Sequence, residues 1–185
     1  MSKVRRLVLD ALLIALFVVL TMFSFTVGGI KFTLGSLPGI LAAMLFGPVD
    51  GFLVGFLGAF LEQMLHFGFT PTTLLWILPP AIRGLCIGLG AIAFRKQMSL
   101  EHLTAVRRPW VYYAVNIVTA VIVSLGNTAV YYLDSIIYHY YSYALIFGVL
   151  GARIVNGILT TLLTATVALP VLAALSRTRL VRART

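Results

Sequence analysis

Charge is scarce in this 185-residue chain, and acid is scarcest: five Asp and Glu stand against fourteen Lys and Arg, and 61% of residues are hydrophobic. So few polar side chains could not cover a water-soluble domain of this size, and a mean hydropathy of +1.04 makes lipid the solvent for most of the chain. There is one cysteine, Cys86, inside an apolar run, which rules out an internal disulfide framework and a thiolate metal site. The three histidines, His66, His102 and His139, fall in different segments, and no HExxH, GxSxG or phosphate-binding glycine loop is present. No metal, cofactor or catalytic role is therefore expected, and any ATP-driven step belongs to a partner. An intramembrane enzyme would need a nucleophile and base at matching depth, and neither a Ser/His nor a paired-acid arrangement occurs.

What the sequence has in abundance is apolar runs. Helices are expected at about 7–27, 34–46, 50–67, 73–94, 110–132 and 142–175, making one membrane domain over residues 1–185, an all-α bundle of six transmembrane helices. The first run follows Lys3, Arg5 and Arg6 and continues to Gly28-Gly29, too long for a signal-peptide core, so it reads as a retained helix. The second is short, and Gly35, Pro38 and Gly39 predict an irregular start. Gly51, Gly55 and Gly58 give the third a small-residue stripe for close helix approach. Pro79-Pro80 predicts a break in the fourth, and Pro170 a kink near the end of the sixth.

A net charge of +9 does not signal nucleic acid once its positions are read. Lys3, Arg5 and Arg6 form one cluster, Arg95, Lys96, Arg107 and Arg108 a second, and Arg177, Arg179, Arg182 and Arg184 a third. With six crossings all three face one side, which the positive-inside rule makes the cytoplasm, so both termini are expected there. A self-sufficient secondary transporter would favour internal repeats with paired broken helices, and only one break is evident.

Three basic residues remain. Lys31 can reach the interface and snorkel. Arg83 and Arg153 each lie roughly 10 residues into an apolar run, about 15 Å deep, where a charge costs several kcal/mol unless paired or facing water. Asp10, Asp50, Glu101 and Asp134 sit near the ends of runs or in loops, leaving Glu62 as the acid deep enough to pair with one arginine. The other arginine then awaits an anionic ligand, or else carbonyls freed by the prolines and lipid headgroups satisfy both. Gln63, Trp76, Asn127 and Asn156 add polarity to the same half of the bundle, as ligand contacts or as helix-to-helix hydrogen bonds. Between 131 and 143 stand six tyrosines, among them Tyr131, Tyr138 and Tyr141, together with His139. They form an interfacial belt or a lid over a small organic molecule.

With these features in place the chain resembles the substrate-specific subunit, or S component, of energy-coupling factor (ECF) vitamin importers. The resemblance covers nearly the whole chain. It rests on six helices, a short second helix within KFTLGSLPGILAAMLFGPVDG, the glycine-rich GFLVGFLGAF, a last helix with RIVNGIL, and an AxxxA motif formed by Ala11 and Ala15. The resemblance implies a multi-pass protein of the cell membrane that captures a vitamin at its outer face. It also implies that Ala11 and Ala15 dock on a transmembrane coupling subunit held by two cytoplasmic ATPases, and that the bundle topples to release its cargo inward. An unneutralised arginine favours a carboxylate-bearing vitamin, pantothenate or folate, over cationic thiamine. The stretch Phe69-Thr70-Pro71-Thr72-Thr73 departs from the FPGFTL-type pattern of the folate-like group, which tilts the reading to pantothenate. The substrate-binding residues expected are Glu62, Gln63, Trp76, Arg83, Asn127, Tyr131, Tyr138, Tyr141, Arg153 and Asn156.

Overall fold

The computed structural model describes residues 3–27, 30–105 and 109–177. In chain order these form α1 (Lys3–Met22), a two-stranded antiparallel hairpin of β1 (Phe25–Val27) and β2 (Ile30–Phe32), α2 (Leu37–Leu45), α3 (Pro48–Phe67), α4 (Thr73–Ala93), the short α5 (Leu100–Ala105), α6 (Trp110–Ile137), a π-helical turn (Ala144–Gly148) and α7 (Leu150–Arg177). Among the described residues four segments are long and apolar enough to cross a bilayer: α3, α4, α6 and Ala144–Leu175. α1 matches them in length but carries Arg5, Arg6 and Asp10.

Several expected boundaries move. The first helix ends at Met22, not near Val27, because Phe25–Val27 pairs with Ile30–Phe32 in the register Phe25↔Phe32, Thr26↔Lys31, Val27↔Ile30. The sequence signal was there: aromatic and β-branched residues alternate on both sides of a Gly-Gly pair, the signature of a hairpin. α4 runs unbroken through Pro79 and Pro80. The two prolines lack N–H groups, so the carbonyls of Leu75 and Trp76 lose their helical donors without the helix ending. α7 likewise continues through Pro170, and α6 extends to Ile137, five residues beyond the expected end, which puts Asp134 on a helix and not in a loop. Of the basic clusters, Arg107, Arg108, Arg179, Arg182 and Arg184 lie outside the described residues.

α2 is apolar on all sides, and eight of its nine residues are buried, as a helix wrapped by neighbours must be. Its length of about 14 Å is well short of a bilayer's hydrocarbon core. It forms the centre of the core, where Ile40, Leu41 and Ala43 meet Ile87 of α4, Ala168 and Leu172 of α7, and Leu9 and Leu13 of α1. α3 and α4 touch backbone to backbone. A Cβ on Gly84 would come within 2.0 Å of the Gly51 carbonyl oxygen, and one on Gly55 within 2.4 Å of the Pro80 oxygen. The predicted glycine stripe thus serves α4 at Gly51 and Gly55, while Gly58 receives the Phe17 ring of α1.

One end of the bundle gathers the starts of α1, α3 and α6 and the ends of α4 and α7. There Arg6 donates through Nε to Asp50 Oδ1 at 2.9 Å, through Nη2 to Oδ2, and to the Phe46 carbonyl at 3.3 Å. Lys3, Arg5, Arg95 and Lys96 are exposed at this basic end, and Met98 and Leu103 pack on Val111, Tyr112 and Ala165. The hairpin lies at the far end.

Candidate functional site

The far half of the bundle contains several cavities: a shallow one of about 360 Å³ is lined by Tyr132, Ser135, Ile136, His139 and Tyr141, and two others gather most of the expected site residues. The deeper of these two, about 190 Å³, is walled by five parts of the chain: Phe17 and Thr21 of α1, Thr33 to Gly39 before and within α2, Pro79 to Gly84 of α4, Val123 and Asn127 of α6, and Thr160 of α7. Apolar and ring surfaces dominate, with hydroxyls at Thr21, Thr33, Ser36 and Thr160, an amide at Asn127, and one charge, Arg83. Thr21 and Thr33 each donate to a backbone carbonyl, of Phe17 at 2.7 Å and Leu20 at 3.4 Å. The second cavity, about 420 Å³, lies nearer the far end and is walled by Glu62, Gln63 and Phe67 of α3, Thr70 to Trp76 at the start of α4, and Tyr131, Asp134 and Tyr138 at the end of α6. Trp76 precedes Pro80 by four residues and Tyr131 follows Asn127 by four, so this vestibule sits about one helical turn, roughly 6 Å, outward of the deeper cavity.

The two deep arginines part company here. Arg83 Nη1 donates to the hydroxyl of buried Thr161 at 3.0 Å, the one hydrogen bond its side chain makes among the described residues. A guanidinium has five N–H donors, so Arg83 brings unused donors and a positive charge to the cavity it lines. Arg153 has more partners in the protein: Nη1 and Nη2 donate to the carbonyls of Ile146 and Leu145 at 3.3 and 3.1 Å, and the guanidinium carbon lies 4.2 Å from the centre of the Tyr131 ring. The expectation that Glu62 neutralises one of them fails. Its Oε1 is 3.4 Å from His66 Nδ1, one turn along α3, and its Oε2 accepts from Gln63 at 3.3 Å. α3 presents Glu62 to the vestibule instead.

Of the expected site residues, Arg83 and Asn127 line the deeper cavity, and Glu62, Gln63, Trp76, Tyr131 and Tyr138 line the vestibule. Neither of these two cavities is lined by Arg153, Tyr141 or Asn156; Tyr141 lines the shallow one. Tyr141 packs edge-on against Tyr132 with ring centres 5.7 Å apart. The Asn156 side-chain oxygen accepts from Thr160 at 3.2 Å within α7. Sequence reasoning missed Phe17, Thr21, Thr33, Ser36 and Thr160, although the polar run before α2, Thr33 to Ser36 in an otherwise apolar stretch, was a legible hint. It also missed the role of Asp134. This carboxylate, 9% exposed, accepts from Trp76 Nε1 at 3.2 Å and from the Tyr140 hydroxyl.

Helices long and apolar enough to cross a bilayer, packed around a polar-edged hollow, define the class of a multi-pass membrane protein with an internal cavity. The fold matches a solved structure described as the S component of a bacterial ECF transporter, with a TM-score of 0.65 over 95% of this chain and 97% of that one, at 20% sequence identity. A family profile for the ECF-type riboflavin transporter S component matches residues 1–177, and the chain belongs to that family. Two UPF0397 proteins, from Clostridium perfringens strains SM101 and ATCC 13124, are 43% identical to it over 51 residues, 28% of this chain. The chain spans about a quarter of the length of these curated relatives it matches, 26% in each case. It is thus a multi-pass membrane protein of the ECF S component family.

Proposed function

We propose that the deeper cavity captures a water-soluble vitamin, whose acceptor groups take up the free donors of Arg83. The observation that carries this reading is a guanidinium with one protein partner on the wall of an otherwise apolar hollow. A buried charge of this kind is stable only when a ligand or water completes its hydrogen bonds. Riboflavin, the vitamin in the family's description, suits the walls. A flat ring matches the apolar surfaces of Phe17, Pro79, Pro80 and Val123, and ring carbonyls match the donors of Arg83 and Asn127; at about 190 Å³ the deeper cavity holds only part of such a molecule, and the rest would extend into the vestibule. Pantothenate is the second reading, with folate behind it, because no carboxylate of the described residues pairs with Arg83 and an anion would neutralise it. The test is a panel of radiolabelled riboflavin, pantothenate, folate and thiamine on the purified protein. Saturable binding of riboflavin supports the first reading, binding of pantothenate or folate alone moves the assignment to the anion, and binding of none removes it.

In this reading the chain crosses the plasma membrane six times with both termini in the cytoplasm, so the cavities open outward. Supporting it, the basic residues described at the helix ends share one end of the bundle. ATP hydrolysis is assigned to two cytoplasmic partners, and a transmembrane coupling subunit docks on α1. Ala11 and Ala15 are exposed one turn apart on its outward face, beside exposed Leu7, Val8, Leu12 and Val19. Two small side chains there admit close helix contact. Ala15→Trp should reduce cellular uptake to background and leave binding by the purified protein unchanged. Uptake at the wild-type rate would remove the docking role, and transport by the isolated chain in liposomes would favour a stand-alone transporter.

A further inference from the structure

At the outer ends of α4, α6 and α7 the polar and aromatic side chains form one connected set. Thr72 precedes α4, and its backbone carbonyl accepts from the N–H groups of Leu75 and Trp76 at 2.9 and 3.2 Å, which sets the start of the helix. Trp76, one turn on, points its indole N–H at the Asp134 carboxylate. Tyr140 reaches back from beyond α6 to donate its hydroxyl to Oδ2. The chain reverses there through His139, which has φ 58°, and the Tyr140 backbone N–H bonds to the Ser135 carbonyl at 3.0 Å. The Trp76 ring then stands edge-on to Tyr131, with centres 4.7 Å apart at 90°, and Tyr131 is backed by Arg153. Arg153 in turn holds the π-helical turn through the carbonyls of Leu145 and Ile146.

We propose that Asp134 is a positioning residue: it fixes the Trp76 indole against Tyr131 as the wall between the vestibule and the Arg83 cavity, and so sets how fast a ligand passes. The proposal rests on the capture reading above but concerns passage, not affinity. Trp76 and Tyr131 line the vestibule, and the next turns inward on the same helices, Pro79-Pro80 and Asn127, line the deeper cavity. A ligand taking the outer route therefore passes this ring pair. Two donors, from the start of α4 and from beyond α6, converge on one carboxylate, and such charge-assisted bonds are roughly twice as strong as neutral ones. The Tyr140 hydroxyl, pushed up to about 12 chiefly by its bond to Asp134, stays protonated and goes on donating. A carboxylate placed only to stabilise α6 would have no need of the indole.

The test uses the full-length protein in a Trp110→Phe background, which leaves Trp76 as the sole tryptophan. Asp134→Ala should make Trp76 more accessible to acrylamide quenching, and Asp134→Asn, which keeps an acceptor for the indole, should restore most of the protection. Riboflavin association and dissociation by stopped flow should both quicken about tenfold in Asp134→Ala, with Kd changed by less than about threefold. Tyr140→Phe, which removes one hydroxyl and leaves Asp134 in place, should shift both rates in the same direction by less, and it keeps the question open to test if Asp134→Ala does not fold. Unchanged quenching in Asp134→Ala overturns the positioning role. So does a loss of affinity carried by dissociation alone, since that marks direct ligand contact. Absence of riboflavin binding by the unmutated protein would overturn the vitamin assignment, while the quenching result would still decide for or against the wall.

Discussion

Arg83 and Arg153 stand at similar distances along their apolar segments, yet the protein gives Arg153 two backbone carbonyls and a ring face and gives Arg83 a single hydroxyl. Around Arg153 the chain makes a wide π-helical turn whose carbonyls face back to the guanidinium, and Tyr131 offers a ring face. Around Arg83 the neighbours are prolines, glycine and a single threonine hydroxyl, and its remaining donors border a cavity. The difference teaches that position along an apolar run does not by itself mark a functional charge in a membrane protein. What marks it is whether the surrounding backbone supplies acceptors, as it does at residue 153.

The comparison can be sharpened by disturbing each side in turn. The largest effect is expected from Gly84→Leu, because the Gly51 carbonyl lies where the new Cβ must go. The α3–α4 contact beside Arg83 should open, at a cost of about 3 kcal/mol in thermal unfolding in detergent, with loss of vitamin binding. Next, Arg153→Gln should cost about 1–2 kcal/mol of stability through the two carbonyl bonds and the ring contact, while affinity changes less than about threefold. If affinity collapsed instead, Arg153 would belong with Arg83 and the contrast would fail. The smallest effect is expected at Thr161→Val, which removes the hydroxyl that aims Arg83. Affinity should weaken about threefold with little change in unfolding temperature, as for the loss of one bond worth about 0.5–1 kcal/mol.

Much of this architecture could be read from the residues. The apolar runs located the long helices, because burial in lipid leaves a strong compositional trace. The glycines at 51, 55 and 84 explain why α3 and α4 approach so closely. The hairpin signature around Gly28-Gly29 was outweighed because the first strand continues the apolar run of α1, which reads as one unbroken helix. Arg83 and Asn127 were legible as site residues, being polar where polarity is costly. Thr33 and Ser36 were harder to see, since they reach the cavity from the segment before α2, and hydroxyls carry little signal in sequence. Glu62 was wrongly paired because charge counting along the chain ignores His66, one turn away on the same helix. Asp134 was placed in a loop because six tyrosines obscured the end of α6, yet it connects three stretches at the outer face.

The central claim is that ligand acceptors complete the coordination of Arg83 and leave Arg153 untouched. Equilibrium binding of the vitamin identified in the panel, measured side by side on Arg83→Ala and Arg153→Ala with folding checked by circular dichroism, tests it most directly. The account predicts affinity lower by about 100-fold for Arg83→Ala, equivalent to about 2.7 kcal/mol, and a change under about threefold for Arg153→Ala. Equal affinities in wild type and Arg83→Ala, or a larger loss at residue 153 than at residue 83, would contradict it.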